Sequence, residues 1–252
     1  MDMLAYFLIF FIGIFVGFIN IVSAGGSLIA LPALIFFGLP SQTANGTNRV
    51  AIFFQNLSAI YEFNRHGLLR WKLSILVAIP TTIGSIVGAK FAVDLPDEIF
   101  NRILAIVMIL VLFVIFIKPQ KFINQEREHL TKLMYVTLCI VFFFIGIYGG
   151  VIQAAVGFLF IIAFRIFMPT LSYAEIQSLK TLIITIYLLI STVIFVIEGH
   201  VHLGYVVALG LGNVIGAYYG GKFTATVEEK YLNIVMAVIV IGLAIKLLID
   251  SL

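Results

Sequence analysis

The sequence predicts an all-α, polytopic integral membrane helical bundle: about eight transmembrane helices in two inverted repeats, with broken or re-entrant short segments. Three observations carry that expectation. First, 62% of the 252 residues are hydrophobic and 11% are charged, against about 45–50% and about 25% in soluble domains. Second, the apolar residues run in blocks close to the roughly 20 residues that cross a hydrocarbon core of about 30 Å. Third, the second half of the chain echoes the first. Eight crossings would use about 160 residues, which leaves little for a water-exposed body. That disfavours a soluble enzyme, a nucleic-acid-binding module and a single-pass receptor, and makes the lipid bilayer the main environment.

In chain order the apolar blocks cover about 4–22, 26–38, 43–62, 72–91 and 99–117, then about 133–151, 155–168, 175–197, 204–222 and 231–249. The first follows Met1-Asp2-Met3 with no basic stretch and no small-residue cleavage pattern, so it reads as a retained helix, not a signal peptide. The second block of each half is short and adjoins a Gly-rich turn, Ser23-Ala24-Gly25-Gly26 in one case and Gly149-Gly150 with Gly157 in the other. Such pieces read as half-helices better than as full spans. The third block opens after Gly38-Leu39-Pro40-Ser41, and Trp71 between Arg70 and Lys72 anchors the start of the fourth at an interface. Residues 1–117 thus make a first membrane repeat, 118–132 a polar connecting loop and 133–252 a second membrane repeat.

The repeats align without a gap from Ile83–Leu112 to Ile215–Ala244, matching Gly84 with Gly216, Gly88 with Gly220, Lys90 with Lys222, Phe91 with Phe223 and Asn101 with Asn233. Further upstream Arg49 meets Lys180, and Asn20 meets Gln153. Internal duplication is common in secondary transporters, whose substrate site lies between the repeats. Five segments per repeat would invert the second relative to the first. Placing the loop 65–72 inside also places Lys118, Lys121, Arg127, Lys132, Lys222 and Lys230 inside, and leaves only Lys90, Arg102 and Lys246 outside. The counterpart loop 198–204 has no Lys or Arg. The positive-inside rule therefore favours inverted repeats with both termini outside.

Strongly polar groups at membrane depth are functional candidates by default. One cluster is Thr43–Arg49, with Thr47, Asn48 and Arg49, followed by Gln55 and Asn56; its counterpart is Ser172–Thr181, with Glu175, Gln177, Ser178 and Lys180. Each sets hydroxyls or amides and one cation at the start of an apolar helix. That chemistry suits an anion, because a helix N-terminus carries free N–H donors and about half a positive charge, and Arg or Lys adds full charge. The alternative is that both cations snorkel to an interface while Thr and Asn cap the helices. Asn20 and Gln153 fall among small residues in the Gly-rich segments, where an amide can bind substrate, freed backbone or a neighbouring helix. His200 and His202 with Glu198 lack a fourth metal ligand. Arg165 reads as an interfacial cation, and Glu62 and Glu175 as solvated groups near helix ends. Cys139 is the single cysteine and reads as a small core residue. No protease, Walker or redox-cysteine motif is present.

The run Ala24-Gly25-Gly26-Ser27-Leu28-Ile29-Ala30-Leu31-Pro32, followed by Ala44-Asn45-Gly46-Thr47-Asn48-Arg49, resembles two signatures of the TauE/SafE sulfite exporter family of membrane permeases: three glycines, a hydrophobic run and a proline, then A-x-G-T-(S/N)-R. The later small-residue pattern and the duplication are also similar to that family, so the resemblance covers essentially the whole chain. It implies export, or sometimes uptake, of small sulfur-containing anions such as sulfite, thiosulfate or organosulfonates. Two departures stand out: Ala24 occupies the place of a third glycine, and Gln177-Ser178-Leu179-Lys180 stands where a G-T-like element is expected.

The combined expectation is a permease, not an enzyme, with no cofactor and no metal, that moves a small anion by alternating access in the cell (inner or plasma) membrane. The substrate-binding set is Asn20, Gly25, Gly26, Thr47, Asn48, Arg49, Gln153, Gly157, Ser178 and Lys180. Membrane potential or protons would supply coupling. A carrier or channel for another small solute and a non-transport membrane protein are the alternatives.

Overall fold

The computed structural model describes residues 3–116 and 132–227. The apolar block at 231–249, and the connecting loop up to residue 131, lie outside them. The described residues form nine helices: α1 (Met3–Val22), α2 (Ser27–Phe36), α3 (Ser41–Arg65), α4 (Trp71–Ala92), α5 (Asp97–Phe116), α6 (Lys132–Val151), α7 (Val156–Phe167), α8 (Tyr173–Ile197) and α9 (Leu203–Thr226). Five of them, α1, α4, α6 from Leu133, α8 and α9, are long and apolar enough to cross a membrane. At 25 residues α3 is also long enough, but it buries Asn45, Asn48, Arg49, Gln55 and Asn56 along its length. A polar helix stays at membrane depth only when other helices shield it, and α3 is flanked by α8 and α9.

Relative helix directions follow from which residues meet. Along α1 and α9, Tyr6 meets Tyr205 with ring centroids 5.2 Å apart near the starts, and Phe18 meets Phe223 at 5.6 Å near the ends. Those helices are parallel. So are α3 and α9, since the His202 backbone donates to Thr47 Oγ1 at 2.9 Å and Ser58 Oγ to the Val214 carbonyl at 3.0 Å. In contrast, Arg49 meets Ser191 and Asn56 meets Thr181, so α3 and α8 are antiparallel. Ser178 bonding Leu68, just before α4, runs α4 along α8, and Gly146 against Thr81 with Gly150 against Ser85 runs α6 along α4. Helices α1, α3 and α9 therefore point one way and α4, α6 and α8 the other. Among the described residues α1, α3 and α4 of the first repeat thus oppose their counterparts α6, α8 and α9 in the second, which is the inverted duplication.

The repeats are interlocked, not side by side. The most extensive packings pair α1 with α9 and α4 with α6, the first helix of each repeat with the fourth of the other. Backbone approach explains the matched glycines: a Cβ on Gly84 would lie 2.0 Å from the Phe143 carbonyl oxygen, and one on Gly216 2.0 Å from that of Ile14. Membrane helices associate through such small-residue contacts because lipid offers no hydrophobic drive between them.

The short helices turn back. Ser27 at the start of α2 lies beside Asn48, whereas Phe37 just past its end accepts from Tyr205 Oη at 3.3 Å, at the end of the bundle where α1, α3 and α9 begin. Likewise Phe164 of α7 meets Phe142 of α6 at 5.0 Å, and Arg165 Nη1 reaches the Leu171 carbonyl ahead of α8. Each half-helix thus returns toward the end from which its long partner started. Arg65, Arg70, Lys72, Arg165 and Lys222 mark one end of the bundle, the basic end. Asp94, Asp97, Glu98 and Glu198 outnumber Lys90 and Arg102 at the other, acidic end.

Candidate functional site

The centre is built from two backbone breaks. After α1 the Ser23 and Ala24 amides both turn back to the Ile19 carbonyl, at 2.7 and 3.2 Å, and Ala24 adopts φ +81°. After α6 the left-handed residue is Ala155, φ +57°, directly before α7. Non-glycine residues with positive φ carry strain of about 1 kcal/mol or more and persist where surroundings fix them. Here the surroundings are each other. A Cβ on Gly157 would lie 2.4 Å from Ala24 Cβ and 3.2 Å from Lys180 Cδ, so the two breaks touch beside the Lys180 stem.

A cavity of about 10 Å³ lies at that contact, room for roughly one water molecule. Its polar lining is Asn20 from α1, Ser27 at the start of α2, Gln55 and Asn56 from α3, Gln153 from the second break, and Lys180 from α8. Ile52 and Ile184 close it from the middle of α3 and α8, and Val156 and Gly157 bring the start of α7 to it. None of its lining residues is a carboxylate. Two larger grooves, of about 470 Å³ by Leu76, Tyr135, Val136, Cys139, Ile140 and Phe143 and of about 220 Å³ between α3 and α8, have almost wholly apolar walls that offer nothing to orient a polar solute.

Hydrogen bonds organise the lining. Lys180 is 2% exposed and its Nζ donates to the Asn20 carbonyl at 2.9 Å. Asn20 Nδ2 donates to Gln55 Oε1 at 3.3 Å, Gln55 Nε2 to Asn56 Oδ1 at 3.1 Å, and Asn56 Nδ2 to the Thr181 carbonyl at 3.4 Å. Tyr187 Oη donates to Gln153 Oε1 at 2.9 Å, which leaves the Gln153 amino group to face the cavity. The starts of α2 and α7 arrive from opposite ends; the Leu28, Ile29 and Ala30 amides bond the Gly25 and Gly26 carbonyls and the Phe158 amide that of Ala155, so the first-turn amides left over are those of Ser27, Val156 and Gly157. A buried ammonium, amide donors and two helix N-termini make a surrounding that stabilises negative charge.

Of the ten residues singled out from sequence, Asn20, Gln153, Gly157 and Lys180 line this cavity. Gly25 packs against the Phe158 ring, and Gly26 lets the chain approach the Val16 carbonyl. Asn48 sits one step back, with Nδ2 3.4 Å from Ser27 Oγ. Thr47 faces the loop at His202, and Ser178 Oγ bonds the Leu68 and Glu175 carbonyls. Arg49 is fully buried away from the cavity: Nη2 donates to the Gly149 and Gly150 carbonyls at 2.8 and 2.5 Å, Nη1 lies 3.4 Å from Ser191 Oγ, and the guanidinium covers the Phe195 ring at 4.6 Å. Neither cation snorkels to an interface. Sequence reasoning noticed Gln55 and Asn56 but did not place them in the set, although with Ile52 they follow the i, i+3, i+4 spacing of one helix face. Ser27 was missed.

The two carboxylates read as solvated are both engaged, and His202 has a structural role. Glu62 is buried at 1% exposure, held by Arg65 Nη1 at 3.1 Å, and is not a solvated group. His202 Nδ1 accepts from the Tyr205 amide at 3.2 Å and so caps α9. Glu175 completes a capping box with Ser172 and pairs with Arg70 across the repeats.

The family profile described as sulfite exporter TauE/SafE matches residues 9–247. Curated relatives are similar over nearly the full length. A probable membrane transporter protein, ORF9, of a Sinorhizobium species is 27% identical over 93% of this chain and 88% of its own. The probable membrane transporter protein YdhB of Bacillus subtilis is 28% identical over 92% of this chain and 94% of its own. The probable membrane transporter protein YfcA of Escherichia coli K12 is 22% identical over 96% and 89%. No solved structure matches the chain. Its helices, its inverted duplication and that match along almost all its length place the chain in the TauE/SafE family of membrane transporters.

Proposed function

We propose that the protein carries a small oxyanion of the sulfur-containing class, such as sulfite, thiosulfate or an organosulfonate, by alternating access through the Lys180 cavity. One observation carries this reading: a buried ammonium, four side-chain amides and the starts of two half-helices from opposite ends meet at one cavity that, among the described residues, has no carboxylate in its lining. Lys180 would supply charge, while Gln153, Asn20 and the Ser27, Val156 and Gly157 amides at the starts of α2 and α7 replace the hydration an oxyanion sheds. The family description, which names sulfite, supports the substrate class. A cavity with room for about one water supports a carrier that closes between loading and release over an open channel.

The basic end of the bundle would face the cytoplasm by the positive-inside rule, in the inner or plasma membrane. An inward-negative potential then favours anion exit by about 2.3 kcal/mol per charge per 100 mV, so export needs no ATP. The test is flux of labelled sulfite, thiosulfate and a sulfonate in proteoliposomes under imposed potential and pH gradients. Saturable flux of at least one anion is expected, lowered about 100-fold by Lys180→Met, as loss of a buried charge partner entails. Equal flux in that variant, or no flux of any of the three by folded protein, would overturn the reading.

A further inference from the structure

Arg49 and Lys180 occupy matching places in the two repeats, and each reaches across to the end of the other repeat's first helix. Arg49 of α3 bonds the Gly149 and Gly150 carbonyls in the last turn of α6, and Lys180 of α8 bonds the Asn20 carbonyl in the last turn of α1. One turn earlier on each helix an amide does the same. Asn45 Nδ2 donates to the Val151 carbonyl at 2.9 Å, and Gln177 Nε2 donates to the Val22 carbonyl at 2.7 Å, where Tyr173 Oη adds a second bond at 2.8 Å. Val22 and Val151 are the final residues of α1 and α6. Terminal carbonyls of a helix have no intrahelical donor and carry partial negative charge, so a cation and an amide arriving together satisfy and neutralise them.

The two caps lie at opposite ends of the bundle. Asn45 is one turn inside the start of α3, at the acidic end; Gln177 is one turn inside the start of α8, at the basic end. The cavity lies between them, at the middle of α3 and α8. The caps also differ in strength. The α6 cap holds Arg49 through three hydrogen bonds and the Phe195 ring, out of the cavity. In the α1 cap the ammonium has one acceptor among the described residues, the Asn20 carbonyl, and lines the cavity.

We propose that these reciprocal caps are the two gates of the carrier, and that Asn45, Arg49 and Gln177 are positioning residues that hold the ends of α6 and α1 shut. The proposal rests on the alternating-access reading above and adds its moving parts. An anion in the cavity competes with the Asn20 carbonyl for Lys180, so loading loosens the α1 cap and frees the path toward the basic end. The Arg49 cap meanwhile closes the path toward the acidic end. Inverted symmetry supplies the return state, in which the α6 cap opens and the α1 cap closes. Loss of one neutral cap bond weakens its gate without removing a charge, which keeps the fold intact.

The test uses the full-length chain with its single cysteine changed, Cys139→Ser, and a reporter in the cavity wall, Ile184→Cys. Labelling by a membrane-impermeant thiol reagent is measured from each side, in sealed cells and in inverted vesicles, for the parent, Asn45→Ala, Gln177→Ala and Arg49→Lys, each first shown to be monodisperse. Asn45→Ala and Arg49→Lys should raise labelling from the acidic-end side about fivefold, and Gln177→Ala from the basic-end side by a similar factor, as one lost hydrogen bond biases a two-state equilibrium. Unbiased labelling, or the same side favoured by all three variants, would overturn the gates. Anion flux measured on the same variants separates the two claims. Flux with unbiased labelling sinks the gates and leaves the anion reading; opposite labelling biases without flux of any sulfur anion keep the gates and sink the substrate.

Discussion

Arg49 and Lys180 are paired by position and divided by what they hold. Changing Arg49 to Met would leave two carbonyls and a hydroxyl in a fully buried place with no donor, at a cost of about 3 kcal/mol. Lys180→Met removes one of two donors to the Asn20 carbonyl, which keeps the Ala24 amide at 3.1 Å, at a cost of about 1 kcal/mol. Thermal unfolding of the purified variants should therefore rank Arg49→Met as the less stable, while flux should rank Lys180→Met as the less active. The sequence made the pairing legible, because a matched register fixes where along a helix each cation sits. It left open which cation would border the cavity, since that depends on the breaks, and those differ: the left-handed residue is second in the first break and last in the second. Asn20 and Gln153, matched in the alignment, consequently reach the same cavity from unlike positions, one inside the last turn of α1 and the other beyond the end of α6.

At the scale of elements, strain and close contact make opposite predictions at two neighbouring residues. Ala24 at φ +81° stands where glycine would sit without strain, so Ala24→Gly should raise thermal stability, by about 1 kcal/mol. Gly157→Ala should lower both stability and flux, because its Cβ would meet Ala24 Cβ at 2.4 Å and press on the Lys180 stem; unaltered flux would show that the breaks need not touch. Short length and flanking glycines made both half-helices readable in advance, at 26–38 and 155–168 against the observed Ser27–Phe36 and Val156–Phe167. The third helix was harder. Expected at 43–62, it runs Ser41–Arg65, because its polar ends break the hydrophobic pattern while Asp97 and Asn101 of α5 satisfy Ser41, and Glu62, one turn back on the same helix, holds Arg65. Gln55 and Asn56 lay inside the expected helix, but the sequence did not say that their face meets Asn20 and Thr181.

For the whole molecule, inversion is what brings a cation from one repeat to the helix end of the other, and two half-helix starts to one cavity. The duplication and the charge asymmetry of the loops were legible in the sequence; the exchange of partners, α1 with α9 and α4 with α6, was not, because matched glycines show that backbones approach closely without saying which. The central claim is that the cavity at Lys180 binds a small oxyanion. Equilibrium binding of sulfite to the purified protein, by titration calorimetry, tests it most directly when wild type is set beside Lys180→Met and Arg49→Lys. Saturable binding that Lys180→Met abolishes and Arg49→Lys retains is the predicted result. Binding that survives Lys180→Met unchanged, or that only Arg49→Lys removes, would contradict it.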